Sequence, residues 1–208
     1  MRSGRIVAAA SVTLALVALL VSPPGQAKNE PYNPVIDPEN FTTKIHNPFL
    51  PLKPGTVYTY RGVTDGGQEL NTVEVTHSTR VLMGVKCVEV IDTVFFIEGA
   101  LEELTHYWYA QDDQGNVWYF GEDSKEFANG EVVSTAGSWL AGMDGGLPGI
   151  VMEANPQVGD VYRQEYLPRV AEDMAEVIGL DGTATVPYGT FTGCVETKET
   201  TPLEARAA

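Results

Sequence analysis

Residues 106–123 read HYWYAQDDQGNVWYFGED, with six aromatic side chains around a short acidic centre. Successive side chains of a β-strand point to opposite faces, so this stretch predicts a hairpin. A two-residue turn at Gln114–Gly115, or a four-residue turn at Asp112–Gly115, gives the same division of its side chains. One face then carries Tyr107, Tyr109, Trp118 and Phe120, and the other carries His106, Trp108, Val117 and Tyr119. Neither face is polar, so either another element or a ligand must cover the second one.

The chain around this hairpin has the pattern of an antiparallel sheet. From residue 56 onwards, short β-rich runs alternate with turn signals such as Asp65-Gly66-Gly67, Met83-Gly84 and Asn129-Gly130, at a spacing of about ten residues. The predicted fold is all-β, a strongly curved antiparallel sheet that is open or closed into a barrel. We expect this β domain to span residues 55–208.

Three segments depart from the strand pattern. Residues 28–54 contain six prolines and predict an extended lead-in that wraps over the domain. Residues 136–159 predict a long loop, and its glycine-rich part at 137–149 would act as a lid over a binding site. Residues 170–180 fit either a short helix or a strand, and a tight turn at Asp181-Gly182 favours the strand.

The N-terminal residues have the features of an export signal. Arg2 and Arg5 precede an apolar run at 6–21, and Gly25-Gln26-Ala27 supplies small residues for cleavage. We expect residues 1–27 to be a signal peptide and the protein to be periplasmic or secreted, the alternative being an N-terminal membrane anchor.

The net charge limits the kinds of partner that the chain can bind, and the cysteine content predicts a disulfide. The whole chain has a formal net charge of −15, and residues 28–208 retain 11 basic against 28 acidic residues, or −17. Such a protein repels nucleic acid and anionic lipid surfaces. Cys87 and Cys194 are the two cysteines, and in an oxidising compartment they predict one disulfide, free thiols being the alternative.

Two blocks of sequence carry a resemblance to a known group. PLKPGTVYTY at 51–60 and TVPYGTFTGCVET at 185–197 resemble the "PL..G..Y.Y" and "V.VP.GTF" strands of uncharacterised exported bacterial proteins. The resemblance covers most of the chain after the signal and implies a half-barrel or lipocalin-like antiparallel sheet. It implies no activity.

Motifs for metal or cofactor chemistry are weak. The histidines His46, His77 and His106 are dispersed and lack paired spacing. The acidic centre at 112–116 offers oxygen ligands but not the pattern of a twelve-residue calcium loop. We therefore predict no metal and no cofactor. His106 with Asp112 or Glu103 is the candidate for acid–base chemistry.

The leading hypothesis is non-catalytic binding of an apolar or amphiphilic, lipid-like small molecule in the concavity of the sheet. One alternative is a lipocalin-like enzyme acting on a hydrophobic substrate, and another is a cell-envelope interaction module that uses an exposed sheet edge. The sequence leaves catalysis, ligand identity and oligomeric state open. The candidate ligand-binding residues are His106, Tyr107, Trp108, Tyr109, Trp118, Tyr119 and Phe120.

Overall fold

The computed structural model describes residues 31–64, 67–96 and 99–203. The all-β prediction is confirmed: the described chain is a strongly curled antiparallel half-barrel without an α-helix. The predicted signal peptide at 1–27 lies outside the described residues. Within the described part of the chain, no helix has the length and apolar character to cross a membrane.

The strands form a long meander followed by shorter segments and a final hairpin. In chain order they are β1 (Phe41–Thr42), β2 (Val57–Thr64), β3 (Gly67–Leu82), β4 (Val85–Phe96), β5 (Leu101–Asp112), β6 (Val117–Ala128), β7 (Glu131–Ser134), β8 (Trp139–Leu140), β9 (Leu147–Met152), β10 (Val161–Arg163), β11 (Glu165–Tyr166), β12 (Met174–Val186) and β13 (Gly189–Thr200). A single 3₁₀ turn, Pro38–Asn40, precedes β1.

Two sheets organise these strands. The larger has ten strands in the order β11-β9-β6-β5-β4-β3-β2, with β1 paired to β5 and with β7 and β8 paired to β6. The smaller has three strands in the order β10-β12-β13. All of the pairs are antiparallel, so short hairpin connections suffice along most of the meander.

Two of the turn signals in the sequence, Met83-Gly84 and Asn129-Gly130, are confirmed. Met83 and Gly84 have φ of 48° and 82°, and Asn129 and Gly130 have φ of 54° and 79°. Two consecutive residues with positive φ form the type I′ geometry that matches the twist of paired strands. These dipeptides therefore fix the registers of β3 with β4 and of β6 with β7.

The predicted long loop at 136–159 is wrong in part, because β8 and β9 lie inside it. Residues 147–152 pair with β6, and Trp139 is buried. A Cβ atom on Gly149 would lie 2.4 Å from the backbone of Gln164, so this strand contains glycine because another backbone touches it. A segment that is part of the sheet does not act as a lid.

The strand alternative for residues 170–180 is the one observed, since β12 begins at Met174 and no helix forms there. The turn predicted at Asp181-Gly182 is wrong. β12 continues through both residues as an irregular stretch and reverses only at Pro187-Tyr188, where Val186 pairs with Gly189. Gly182, which suggested a turn, lies instead at a shift of register between β12 and β13.

The lead-in packs against the large sheet. Residues 41–42 pair with the end of β5, on the side that β4 leaves free beyond Tyr109. Ile45 and Leu52 are buried against Val75 and other apolar side chains of the sheet. The proline-rich segment is thus an ordered covering of the sheet's end.

The predicted Cys87–Cys194 disulfide is wrong, and both thiols are free. Cys87 lies on β4 of the large sheet, with no exposed surface, in a core cluster with Leu82 and Trp108. Cys194 lies on β13 of the small sheet and is half-buried. Two cysteines in a sequence do not show which sheets their strands join, so their number alone was a poor guide to pairing.

Candidate functional site

The hairpin of β5 and β6 turns through three residues, 113–115. The Asp112 amide donates to the Asn116 carbonyl at 3.0 Å, and the Gly115 amide donates to the Asp112 carbonyl at 3.1 Å. The Asp112 carboxylate accepts hydrogen bonds from the Asn116 amide and from Trp118 Nε1, each at 2.8 Å. The acidic centre is therefore a turn that its own side chains hold together.

This odd-length connection overturns the predicted division of the faces. Tyr109 lies opposite Tyr119, and Ala110 lies opposite Trp118. Residues directly opposite in an antiparallel pair point to the same face, so a change of one residue in the connection moves a whole strand's side chains across. The tyrosine face carries Tyr107, Tyr109 and Tyr119, and the tryptophan face carries His106, Trp108, Trp118 and Phe120.

The three tyrosines of the tyrosine face form one cluster. Their ring centroids are 5.1 Å apart for Tyr109–Tyr119, and 5.9 Å for both Tyr107–Tyr109 and Tyr107–Tyr119. Val88 and Val90 lie opposite Tyr109 and Tyr107 on β4 and supply the apolar surface beside the rings. Tyr107 and Tyr109 are partly buried and pack against the cluster that contains Ile45 and Leu52 of the lead-in.

A β-bulge brings a carboxyl group to this cluster. Between Tyr119 and Glu122, β6 contains one more residue than the facing part of β5, and Gly121 there has φ of 130°. The extra residue turns Glu122 to the tyrosine face, where its Oε2 accepts a hydrogen bond from Tyr119 Oη at 2.5 Å. A Cβ atom on Gly121 would lie 2.4 Å from the Trp139 carbonyl, so this position requires glycine.

Strands from the far end of the sheet also reach the tyrosine face. The Trp139 ring packs edge-on against Tyr119 at 5.3 Å, and Trp139 Nε1 donates to Glu165 Oε2 at 2.9 Å. β11, which carries Glu165, is two strands from β6, roughly 10 Å away in a flat sheet. Trp139 spans this distance from β8, which is itself paired to β6, and so brings the Glu165 carboxyl group towards the tyrosine cluster.

The carboxyl groups on this side hold their protons more tightly than usual. Burial raises the pKa of Asp92 to about 6, and the nearby Glu103 adds to the shift. Burial, with Asp173 and Glu122, raises the pKa of Glu165 to about 7. Burial also raises the pKa of Glu122. Crowded carboxyl groups in a half-buried site favour neutral forms, or a positive charge brought in from outside.

The tyrosine hydroxyls stay protonated for the same reason. Burial, followed by the negative charge of Glu122, raises the pKa of Tyr107. Burial and neighbouring groups raise the pKa of Tyr109 and Tyr119 well above the usual value. The face therefore presents neutral aromatic rings beside acceptor oxygens.

The tryptophan face is packed and leaves little surface for a ligand. Phe41 of the lead-in lies edge-on to Trp118 and Phe120, with ring centroids 6.0 and 5.6 Å apart. The Arg80 guanidinium lies 4.5 Å above the Trp108 ring. Trp108 and Phe120 are buried. On this face Phe41 of the lead-in covers part of the aromatic surface.

His106 has a different partner from those that the sequence suggested. Its Nδ1 lies 3.0 Å from Oε1 of Glu89, on the tryptophan face. Asp112 is engaged in the hairpin turn, and Glu103 belongs to the tyrosine face. The expected pairing of His106 with Asp112 or Glu103 is therefore wrong, and the histidine does not face the tyrosine cluster.

A second depression lies where the lead-in meets the hairpin turn. It has a volume of about 430 Å³ and is lined partly by His46, Asn47 and Gln114. The Asn47 amide already donates to the Gly115 and Glu153 carbonyls. His46 Nδ1 lies 2.7 Å from Gln111 Nε2. These polar groups fasten the lead-in, so the depression offers few donors or acceptors to a ligand.

Sequence reasoning missed the acidic members of the tyrosine face. Asp92 shares the strand parity of Val88 and Val90, and a charged residue at an apolar position was a usable signal. Glu165 and Trp139 had no such signal, because chain folding alone brings β8 and β11 to β6. In the described parts of the chain, no group of three or more His, Cys, Asp or Glu side chains is arranged to hold a metal ion.

Comparison with known proteins gives no relative. The chain matches no protein family model, no curated protein sequence and no solved structure.

Proposed function

We propose that the protein binds a small apolar or amphiphilic molecule against the tyrosine face, in the concavity of the curled sheet. The observation that carries this proposal is the cluster of three tyrosine rings, Tyr107, Tyr109 and Tyr119, beside the Glu122 carboxyl group. A ligand that covers this aromatic surface gains binding free energy, because removing apolar area from water contributes about 25 cal/mol per Å². Export through residues 1–27 is part of the proposal.

The groups around the rings define the polar end of such a ligand. Asp92, Glu122 and Glu165 offer acceptor oxygens. The ion pairs of Lys125 with Asp123 and of His106 with Glu89 lie on the tryptophan face and bring no positive charge to this side. We therefore expect a neutral or cationic head group to bind better than an anionic one, because a cation gains both from the carboxylates and from the ring faces.

The test compares three amphiphiles with the same alkyl chain that carry an alcohol, an ammonium or a carboxylate head. Binding to the full chain is measured by calorimetry at neutral pH, and native mass spectrometry of protein purified without denaturation looks for a retained ligand. We expect the ammonium compound to bind most tightly and the carboxylate most weakly, by about tenfold or more.

A matched pair of variants locates the site. Tyr107→Leu removes ring surface and a hydroxyl from the tyrosine face and should weaken binding of the ammonium amphiphile several-fold. Tyr188→Leu makes the same chemical change at an exposed tyrosine on the β12–β13 turn and should leave binding unchanged. Failure of all three amphiphiles to bind, or equal loss in both variants, would contradict the proposal.

A further inference from the structure

β2 forms one end of the ten-stranded sheet, and none of the described strands pairs with its outer edge. The strand is regularly paired to β3 over its whole length, from Val57 opposite Glu74 to Thr64 opposite Gly67. A straight edge strand presents a row of unpaired backbone N–H and C=O groups that can accept another strand.

The usual protections of an edge strand are missing from β2. Residues 57–64 contain no proline and no lysine, and Arg61 is the one charged residue. Three of its apolar side chains are exposed, with Val57 at 58%, Tyr60 at 38% and Val63 at 79% of their full surface. Exposed apolar side chains on an unprotected edge indicate that something pairs with it.

We propose that β2 pairs antiparallel with β2 of a second copy of this chain, about a two-fold axis at Tyr60. A two-fold axis perpendicular to the sheet keeps equivalent faces on the same side, so each residue must face a residue of the same strand parity. The register centred on Tyr60 meets this condition. It places Val57 opposite Val63, Tyr58 opposite Gly62, and Thr59 opposite Arg61.

This register is self-complementary in shape. The two exposed valines, Val57 and Val63, cover one another twice, once on each side of the axis. Tyr58, whose hydroxyl donates to the Pro51 carbonyl of its own chain, faces Gly62, which has no side chain and brings no steric conflict. The two copies of Tyr60 meet at the axis, and their exposed ring surface is buried there.

Charge also favours a second copy at this edge. The chain as a whole has a net charge of −15, which opposes self-association elsewhere on its surface. Residues 57–64 contain no acidic residue, so pairing there places no carboxylates opposite each other. β13, by contrast, carries Glu196 and Glu199 at the edge with which none of the described strands pairs.

The test uses the full chain and measures its mass against concentration by sedimentation velocity. We expect a concentration-dependent dimer. Val57→Lys with Val63→Lys places like charges opposite each other on both sides of the axis and should weaken dimerisation about tenfold or more. Both side chains are exposed, so circular dichroism should show an unchanged fold.

A variant with opposite charges at positions 57 and 63 tests this register against any other. Val57→Lys with Val63→Glu introduces equally polar side chains, but each lysine then faces a glutamate of the other copy, and dimerisation should recover. Val132→Lys with Val133→Lys alters two exposed valines of β7 and should have no effect. A wild-type chain that stays monomeric, or association insensitive to the double lysine variant, would overturn the proposal.

Discussion

Gly121 shows how one residue shapes the candidate site. Its positive φ and its contact with the Trp139 backbone create the bulge in β6. Without that bulge, Glu122 would point to the tryptophan face and lose its hydrogen bond with Tyr119. A residue with no side chain therefore determines which face receives a carboxyl group.

The prediction at this scale compares two glycines with nearly the same φ. Gly121 has φ of 130° and would clash on gaining a Cβ atom, while Gly67 has φ of 128° and no atom within 4 Å of that position. Replacement by alanine should lower the free energy of unfolding by about 1–2 kcal/mol at Gly67 and by more than about 3 kcal/mol at Gly121. Chemical denaturation measures both. Equal losses would show that backbone strain alone makes glycine necessary.

At the scale of the element, the lead-in is held by buried polar side chains as well as apolar contacts. Asn47 is 2% exposed, and its Oδ1 accepts hydrogen bonds from the amides of Phe49 and Leu50. Its Nδ2 donates to the carbonyls of Gly115 and Glu153, both at 3.0 Å. One side chain thus connects the lead-in to the β5–β6 turn and to the end of β9.

Asn47→Ala should lower the free energy of unfolding by about 2–4 kcal/mol, because several buried backbone groups lose their partner at once. Denaturant unfolding measures the loss, and hydrogen exchange should show weaker protection across residues 45–50. Asn40→Ala is the control, since Asn40 is exposed at the end of the 3₁₀ turn. A loss at Asn47 no larger than that at Asn40 would show that the apolar contacts alone hold the lead-in.

At the scale of the whole molecule, burial of carboxyl groups connects stability to pH. The folded-state pKa is about 6 for Asp92 and about 7 for Glu153 and Glu165, in each case raised mainly by burial. Unfolding returns these groups to pKa values near 4. Between these limits the folded state binds more protons than the unfolded state, so the free energy of unfolding falls as pH rises from about 4 to about 7.

Glu165→Gln isolates one of these groups. The glutamine Oε1 can still accept the hydrogen bond from Trp139 Nε1 but does not ionise. We expect a shallower decline of unfolding free energy between pH 4 and 7 and higher stability than wild type at pH 8. Urea titrations across this range measure both, and Glu131→Gln on exposed β7 is the control. If both variants followed the wild-type decline, the buried carboxyl at 165 would not be its source.

The sequence alone determined the β class, the exact dipeptides at the Met83 and Asn129 turns, and the covering role of the proline-rich lead-in. These features follow from local rules, because period-two alternation, φ-specific turn residues and proline each act within a few residues.

Only the tertiary structure decided which residues meet. A three-residue connection, rather than an even-length one, gathered Tyr107, Tyr109 and Tyr119 on one face, and side-chain hydrogen bonds of Asp112 stabilise that connection. The free thiols and the approach of Glu165 depend on which strands share a sheet, over long separations in sequence. Pairing partners and bulges are set by long-range packing, and a shift of one residue reverses every face beyond it.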